Sequence, residues 1–148
     1  MKKTIVLSFL FLLLGILIGT KFYNAKETLQ ATFSEGETYY FLQEGIYSKK
    51  TILLENTNNI TPKVIEEIDN KYYVYVGISK TEENAKKIKQ IYEDKGYNIY
   101  IKEKKLRNEE FSSNVTQFDL LINSASTENE ILTITEVVLA NYEEIIKN

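Results

Sequence analysis

The sequence predicts an α+β domain with the element order β-α-β-β-α-β, folded as a four-stranded antiparallel sheet with two helices on one face. First, four short runs rich in aromatic and β-branched residues are typical of strands: "YYFLQEGIYS", "PKVIEEI", "KYYVYVGIS" and "YNIYIK". Second, "KTEENAKKIKQIYEDKG" has the apolar spacing of a helix. Third, an internal repeat aligns Gly45 with Gly77, 32 residues apart, and each copy runs from strand into helix.

The two helices of this pattern differ in how well the sequence marks them. In the second, Thr81 is suited to cap the start, and Gly96 fits the left-handed position after the end. Its apolar stripe consists of Ala85, Ile88, Ile91 and Tyr92. The first helix is predicted to start at Ser48 as cap, and its apolar run is short. We therefore expect a better-packed second helix.

Alternation along the strands predicts which side chains face the helices, because successive residues of a strand point to opposite faces. The residues predicted to face the helices are Leu42, Val74, Val76, Ile99 and Ile101. The residues predicted to lie on an open face are Tyr39, Phe41, Gln43, Tyr73, Tyr75 and Tyr100. Gly45, in the first strand, is expected to form a bulge or to let a ligand approach the backbone.

Composition excludes several classes of chemistry. The chain of 148 residues has no cysteine and no histidine, so disulfides, thiolate zinc sites and imidazole-based triads are impossible, and we expect no metal or cofactor. Net charge is −3, and Arg107 is the single arginine. This balance argues against nucleic acid as a partner.

The first 23 residues predict a membrane anchor. Lys2 and Lys3 precede an uncharged, mostly apolar run from Thr4 to Thr20, long enough to cross most of a bilayer core. A cleaved signal peptide is the alternative, but the small residues required before a cleavage site are missing. We expect a single-pass protein of the cell membrane with a cytoplasmic N-terminus, a stalk over residues 24–36 and a domain outside the membrane.

Residues 105–148 predict an acidic extension with two helices, following the domain at residues 37–104. In the second helix, Thr127 and Glu130 form a capping box. Its apolar stripe consists of Ile131, Ile134, Val138, Tyr142 and Ile145. Two roles remain open for this extension: packing against the domain, or docking a partner protein.

The segment from Tyr39 to Lys104 resembles the SPOR (sporulation-related repeat) domain. "FLQEGIYS" fits that family's Gln-x-Gly-x-aromatic opening, and "YYVYVGISKTEENAKKIKQIYEDKGYNIYIK" is similar to its second repeat. The resemblance implies a membrane-anchored protein of cell division or sporulation in a low-GC bacterium that binds peptidoglycan glycan strands stripped of stem peptides. It assigns glycan binding to Gln43, and also to Ser48, Tyr73 and Tyr75. Glu44 and the lack of tryptophan depart from the family pattern.

The residue chemistry agrees with a glycan site on the open face, where Tyr39, Phe41 and Tyr100 join the residues just named. Rings stack on the C–H faces of sugars, and an amide bonds hydroxyl and acetamido groups. Packing is the alternative role for such rings. Two other hypotheses are an interaction protein with a degenerate site, which recruits partners through its C-terminal helices, and an enzyme. The acidic pairs Glu66-Glu67 and Glu82-Glu83 give the enzyme little support, so we expect a non-catalytic protein.

Overall fold

The computed structural model describes residues 36–148, which belong to one compact unit. Its elements are β1 (Glu37–Tyr47), α1 (Lys50–Thr57), β2 (Val64–Ile68), β3 (Lys71–Ser79), α2 (Glu82–Asp94), β4 (Tyr100–Leu106), α3 (Glu109–Ser124) and α4 (Glu128–Lys147). The predicted β-α-β-β-α-β order and both C-terminal helices are confirmed. The predicted membrane helix, and the stalk up to residue 35, lie outside the described residues. Between residues 36 and 148, no helix has the length and apolar character needed to cross a membrane.

The four strands form one antiparallel sheet in the order β2-β3-β1-β4. The two longest strands, β1 and β3, lie in the centre. β2 and β3 are joined by a two-residue turn at Asp69 and Asn70, whose φ angles are 51° and 59°. Asn and Asp adopt this left-handed conformation more readily than other side chains, so the turn that separates the two predicted strands follows directly from its sequence.

An irregularity in the pairing of β1 with β3 changes which residues share a face. Leu42 pairs with Gly77 and the next residue, Gln43, pairs with Tyr75, so Val76 of β3 has no partner. On β1, Glu44 likewise has no partner, because Gly45 pairs with Val74. An unpaired residue of this kind breaks strict alternation. Ile78 therefore pairs with Phe41 and packs with the aromatic residues, although simple alternation would place it beside Val76.

The face that bears Leu42, Val76 and Ile99 packs against α2, as predicted. These side chains form one cluster with Ala85, Ile88 and Tyr92 of α2, and Ile101 packs against its margin. Val74 is fully buried as well. A β-carbon placed on Gly77 would lie 3.0 Å from Cγ2 of Ile88, so the glycine of the second repeat lets α2 approach the sheet closely.

The helix caps are predicted correctly for α2 and wrongly for α1. The Thr81 hydroxyl accepts a hydrogen bond from the Asn84 amide, and Gly96 has a φ of 90°. At α1 the cap position is Lys49, which makes no side-chain capping bond, and Ser48 is exposed before it. The reason is that β1 continues through Tyr47, so the helix begins one residue later than its polar signal suggests.

The opposite face of the sheet, which carries the aromatic residues, is covered over much of its area by α3 and α4. Tyr39, Phe41 and Tyr75 form one buried cluster whose helical members are Phe111, Val115, Val138, Leu139 and Tyr142. The prediction that these three sheet residues lie on an open face is therefore wrong. The predicted stripe of α4 is confirmed at Val138, Tyr142 and Ile145, which pack against this cluster. Ile131 and Ile134 are partly buried against the cluster on the other face, and the buried Thr135 and Leu139 lie outside the predicted stripe.

A buried carboxylate on α3 attaches the covering helices to the segment that joins β3 to α2. Asp119 of α3 accepts hydrogen bonds from the Ser79 hydroxyl at 2.6 Å, the Lys80 backbone amide at 2.8 Å and the Asn84 side chain at 3.0 Å. Three donors compensate the carboxylate for the loss of water. Packing against the domain is thus the role that the structure shows for the C-terminal helices.

Candidate functional site: the aromatic face of the sheet

The aromatic face divides into two ends. The covered end consists of Tyr39, Phe41 and Tyr75, which are 0%, 0% and 2% exposed. The uncovered end consists of Gln43, Ile46, Ile68, Tyr73 and Tyr100. Within it Tyr100 is 56% exposed, Ile46 49% and Ile68 36%. Of the predicted site residues at this end, Tyr100 is exposed and Tyr73 is partly buried, whereas Gln43, predicted to lie on an open face, is buried at the margin.

The rings of the covered end pack against one another and against the helices. The ring of Phe41 meets those of Tyr75 and Tyr142 edge to face, with centroids 5.0 Å apart in each case, and Tyr39 lies 5.4 Å from Phe111. Burial raises the pKa of the Tyr39, Tyr75 and Tyr142 hydroxyls above their ordinary range. Packing, the alternative role for aromatic strand residues, is therefore the one that these side chains have.

An ion pair that sequence reasoning missed crosses over the covered end. Lys104 on β4 and Glu66 on β2 come from the two edge strands, and their charged groups meet at 2.8 Å. The Lys104 ammonium lies 4.6 Å from the ring centroid of Phe41 and 4.9 Å from that of Tyr75, and donates to the Tyr142 hydroxyl at 3.1 Å. The ammonium is thus enclosed by rings and one carboxylate.

This ion pair separates the two ends of the face. Glu66 pairs across the strands with Tyr73, and its negative charge helps to raise the pKa of Tyr75 and Tyr142, after burial as the main cause. With Lys104 and Glu66 bonded to each other, their charges compensate. Beyond the pair, this face offers a ligand the neutral side chains of the uncovered end and the exposed ammonium of Lys71, which pairs across the strands with Ile68.

At the uncovered end each of the four strands contributes one large apolar side chain. Ile46 on β1 pairs with Tyr73 on β3, and Tyr100 on β4 pairs with Gln43 on β1. Ile68 on β2 lies two residues after Glu66 and so shares its face. Tyr73 stacks on Tyr75 with ring centroids 6.4 Å apart and an angle of 20° between the planes. Tyr100, Ile46, Tyr73 and Ile68 thus share one face along a diagonal across the sheet, and we call this set of side chains the platform.

Gln43 lies at the boundary between the two ends. It pairs with Tyr100 on one side and Tyr75 on the other, and is 8% exposed. Within residues 36–148, the buried side-chain polar atoms that lack a hydrogen bond are the Tyr39 hydroxyl and Asn84 Oδ1. The Gln43 amide does not belong to this group. An amide carries both a donor and an acceptor, so the accessible part of the Gln43 side chain can hydrogen-bond in either direction.

The remaining residues of the Gln-x-Gly-x-aromatic segment serve the local fold. A β-carbon on Gly45 would lie 3.0 Å from the Tyr47 ring, so this glycine makes room for that ring. The Tyr47 hydroxyl donates to the Glu44 carboxylate at 2.9 Å; burial first, and then this bond, raise the pKa of Tyr47 to about 12. Ser48 is exposed just past the end of β1, beyond the platform.

A separate concavity of about 280 Å³ lies between the start of α3 and the end of α4. It is lined by Asn108, Glu110, Phe111, Asn114, Asn141, Glu144, Ile145 and Asn148. None of the predicted site residues borders it. Across residues 36–148, no three acidic side chains converge in a way that could hold a metal ion.

Comparison with protein families, with curated proteins and with solved structures finds no match for this chain. The family resemblance of residues 39–104 therefore stays a prediction based on the quoted motifs.

Proposed function

We propose that this domain binds glycan strands of the peptidoglycan type at the uncovered end of its aromatic face. The observation that supports the proposal is the exposed Tyr100 ring, which pairs across the strands with Gln43, on the same face as the partly buried Tyr73. Rings bind the C–H faces of sugars, while a neutral amide can both donate to and accept from acetamido and hydroxyl groups.

The SPOR resemblance supports the same residues in part. Gln43 and Tyr73 are residues to which it assigns glycan binding, and both belong to the uncovered end. Tyr75, which it also implies, is buried, as are Tyr39 and Phe41, so the proposed site does not include them. The site that we propose is therefore smaller than the face predicted from the sequence.

A non-catalytic role is part of the proposal. The carboxylate of Glu66, which pairs across the strands with Tyr73, is bonded to Lys104, and the charged residue that pairs with Ile68 is a lysine, Lys71. A carboxylate held in this way is poorly placed to exchange protons with a ligand. We therefore propose glycan binding without bond cleavage.

The proposed place of the domain is outside the membrane, in cell division or sporulation, with residues 1–23 as a single-pass anchor. The apolar run from Thr4 to Thr20 motivates this part of the proposal. Protease added to intact protoplasts should digest the domain. Recovery of a soluble form that lacks residues 1–25 from the growth medium would contradict it.

Partner recruitment through the apolar stripe of the last helix loses its support, because that stripe is the surface that covers the sheet. Val138 and Tyr142 are buried in the aromatic cluster, and Ile145 packs against it. A partner would have to use the outer, acidic surface of α3 and α4 instead.

The binding test uses wall glycan strands stripped of stem peptides and the chain with single substitutions. Tyr100→Ala should weaken binding by about two- to twelve-fold, the equivalent of one stacking contact, and Gln43→Ala should also weaken it. Leu120→Ala is the matched control, since Leu120 is an exposed apolar residue on α3, away from the platform. If all three variants bind like the unsubstituted chain, or if that chain does not bind, the proposal fails.

A further inference from the structure

We infer that the bound glycan runs across the four strands, contacts Ile46 and Ile68, and passes over both edges of the sheet. This inference rests on the proposed function and specifies how the ligand lies. It adds two binding residues, both aliphatic, that neither the strand pattern nor the family resemblance indicates.

A path along the strands is blocked on one side. A polymer that followed β1 from Ile46 toward Phe41 would meet the ion pair of Lys104 with Glu66 and then the Tyr142 ring of α4. These groups lie directly on the covered end. The polymer could continue in this direction only if α4 left the sheet.

Displacement of α4 is too costly to make room for a ligand. It would expose Val138, Leu139 and Tyr142 together with Phe41 and Tyr75 on the sheet, all of which are at most 2% exposed. Burial of large apolar side chains is a main source of a fold's stability, so a ligand that displaced α4 would have to offset the exposure of all five. The cover therefore limits the site rather than opening over it.

The path across the strands is open at both ends. The open path is diagonal, because the row straight across from Tyr100 contains Gln43, Tyr75 and Val64, and Ile68 lies four residues beyond Val64 on β2. Three strand spacings of about 4.8 Å and four residues of about 3.3 Å give a diagonal of about 20 Å from Tyr100 to Ile68. β4 and β2 are the two edges of the sheet, and Tyr100 and Ile68, the ends of this diagonal, are both exposed. A platform without end walls suits the interior of a polymer, and no feature of it selects a chain terminus.

The test measures binding of β-1,4-linked N-acetylglucosamine oligomers of increasing length. Ile68→Thr keeps a β-branched residue in the strand and removes part of its apolar surface. We expect it to weaken binding of long oligomers by about two- to five-fold and to have less effect on short ones. Ile52→Thr, at an exposed isoleucine on α1, is the matched control. Thermal melting verifies that each variant folds, and NMR shifts of the Ile68 methyl groups on titration give a readout that needs no substitution.

The outcomes separate the two proposals. Weaker binding after Ile68→Thr, with Ile68 methyl shifts on titration, supports a ligand that crosses all four strands. An effect of Tyr100→Ala with no effect of Ile68→Thr and no methyl shift overturns the crossing and leaves glycan binding intact. If neither substitution weakens binding, both the crossing and the proposed function fail.

Discussion

The covered and uncovered ends of the aromatic face share strands, residue types and alternation, yet they have opposite roles. Tyr75 is 2% exposed and belongs to the core, while its face neighbour Tyr73, two residues earlier on β3, is only partly buried. The difference between them is the position of α4, which lies more than 50 residues later in the sequence. Whether a strand ring is core or surface is thus decided by a distant element.

The largest expected effect comes from removing the cover. Residues 36–106 alone, which contain the segment that resembles the SPOR family and the whole of β4, should fail to fold cooperatively, because the covered end would present three large rings and Ile78 to water. Circular dichroism during thermal melting, compared with residues 36–148, measures this. A cooperative transition in the shorter chain would show that α3 and α4 are an addition to an independently stable sheet.

The next largest effect is expected at the ring that joins α4 to the sheet. Tyr142→Ala should lower the free energy of unfolding by about 3–5 kcal/mol, because it removes a buried ring that contacts Phe41 and Tyr75. Urea denaturation gives the value. Tyr142→Phe keeps the ring and removes only the hydroxyl that accepts from Lys104, so its cost should be much smaller. Equal costs for the two variants would contradict the packing role.

Alkaline pH tests the burial of the tyrosines in the core without any substitution. Burial raises the pKa of Tyr39, Tyr75, Tyr92 and Tyr142 in the folded state above the value of about 10 of an unfolded chain. Each such group stabilises the folded state below about pH 10, and this stability is lost as pH rises through the folded-state pKa, at about 1.4 kcal/mol per pKa unit. Melting temperature should therefore fall above about pH 10.

Tyrosinate absorbance in the same titration shows whether the buried tyrosines ionise only as the protein unfolds. The buried tyrosines should ionise together with loss of secondary structure, because their charged forms are excluded from the core. Independent ionisation of all eleven tyrosines of the chain, with the fold retained, would contradict the burial of the covered end.

The parts of the fold that the sequence predicts are those encoded within one element. The stripe of α2, its Thr81 cap and Gly96 depend on residues within one helix and its two ends, and all were predicted correctly. The turn at Asp69 and Asn70 is equally local. Periodicity and cap chemistry suffice in such cases because the contacts that decide the structure are near in sequence.

The errors arise where the deciding contact is distant. The aromatic face was expected to be open because nothing within residues 37–104 indicates that the stripe of α4 packs there. The bulge at Val76 transfers Ile78 to the aromatic cluster. Gly77 beside it is a residue type found at bulges, but the glycine alone does not indicate which residue loses its partner. Of the candidate site, the sequence therefore identifies the residue types and the face, and it cannot show which end of that face remains accessible.

The ion pair between the two ends should show a moderate coupling energy. Lys104→Met leaves the Glu66 carboxylate without its partner beside aromatic rings, and Glu66→Gln leaves the Lys104 ammonium without its partner. The loss of unfolding free energy in each single variant should therefore exceed half of the loss in the double variant. The expected coupling is about 0.5–3 kcal/mol. The exposed pair of Lys86 with Glu82 on α2 is a matched comparison, with an expected coupling of about 0.3–0.5 kcal/mol. Equal couplings would mean that the pair is as solvated as an ordinary surface pair.

The smallest effect on stability is expected at the uncovered end. Tyr100→Ala removes a ring that is 56% exposed on an edge strand, so the free energy of unfolding should change by about 0.5 kcal/mol or less. Urea denaturation of Tyr100→Ala beside Phe41→Ala compares the two ends in one experiment, since Phe41→Ala should cost about 3–5 kcal/mol. A large loss of stability at Tyr100 would mean that its ring has a packing role. A ring that contributes little to folding and still changes glycan affinity is the pattern that distinguishes a binding residue from a core residue, and among the rings of this face Tyr100 is the most exposed.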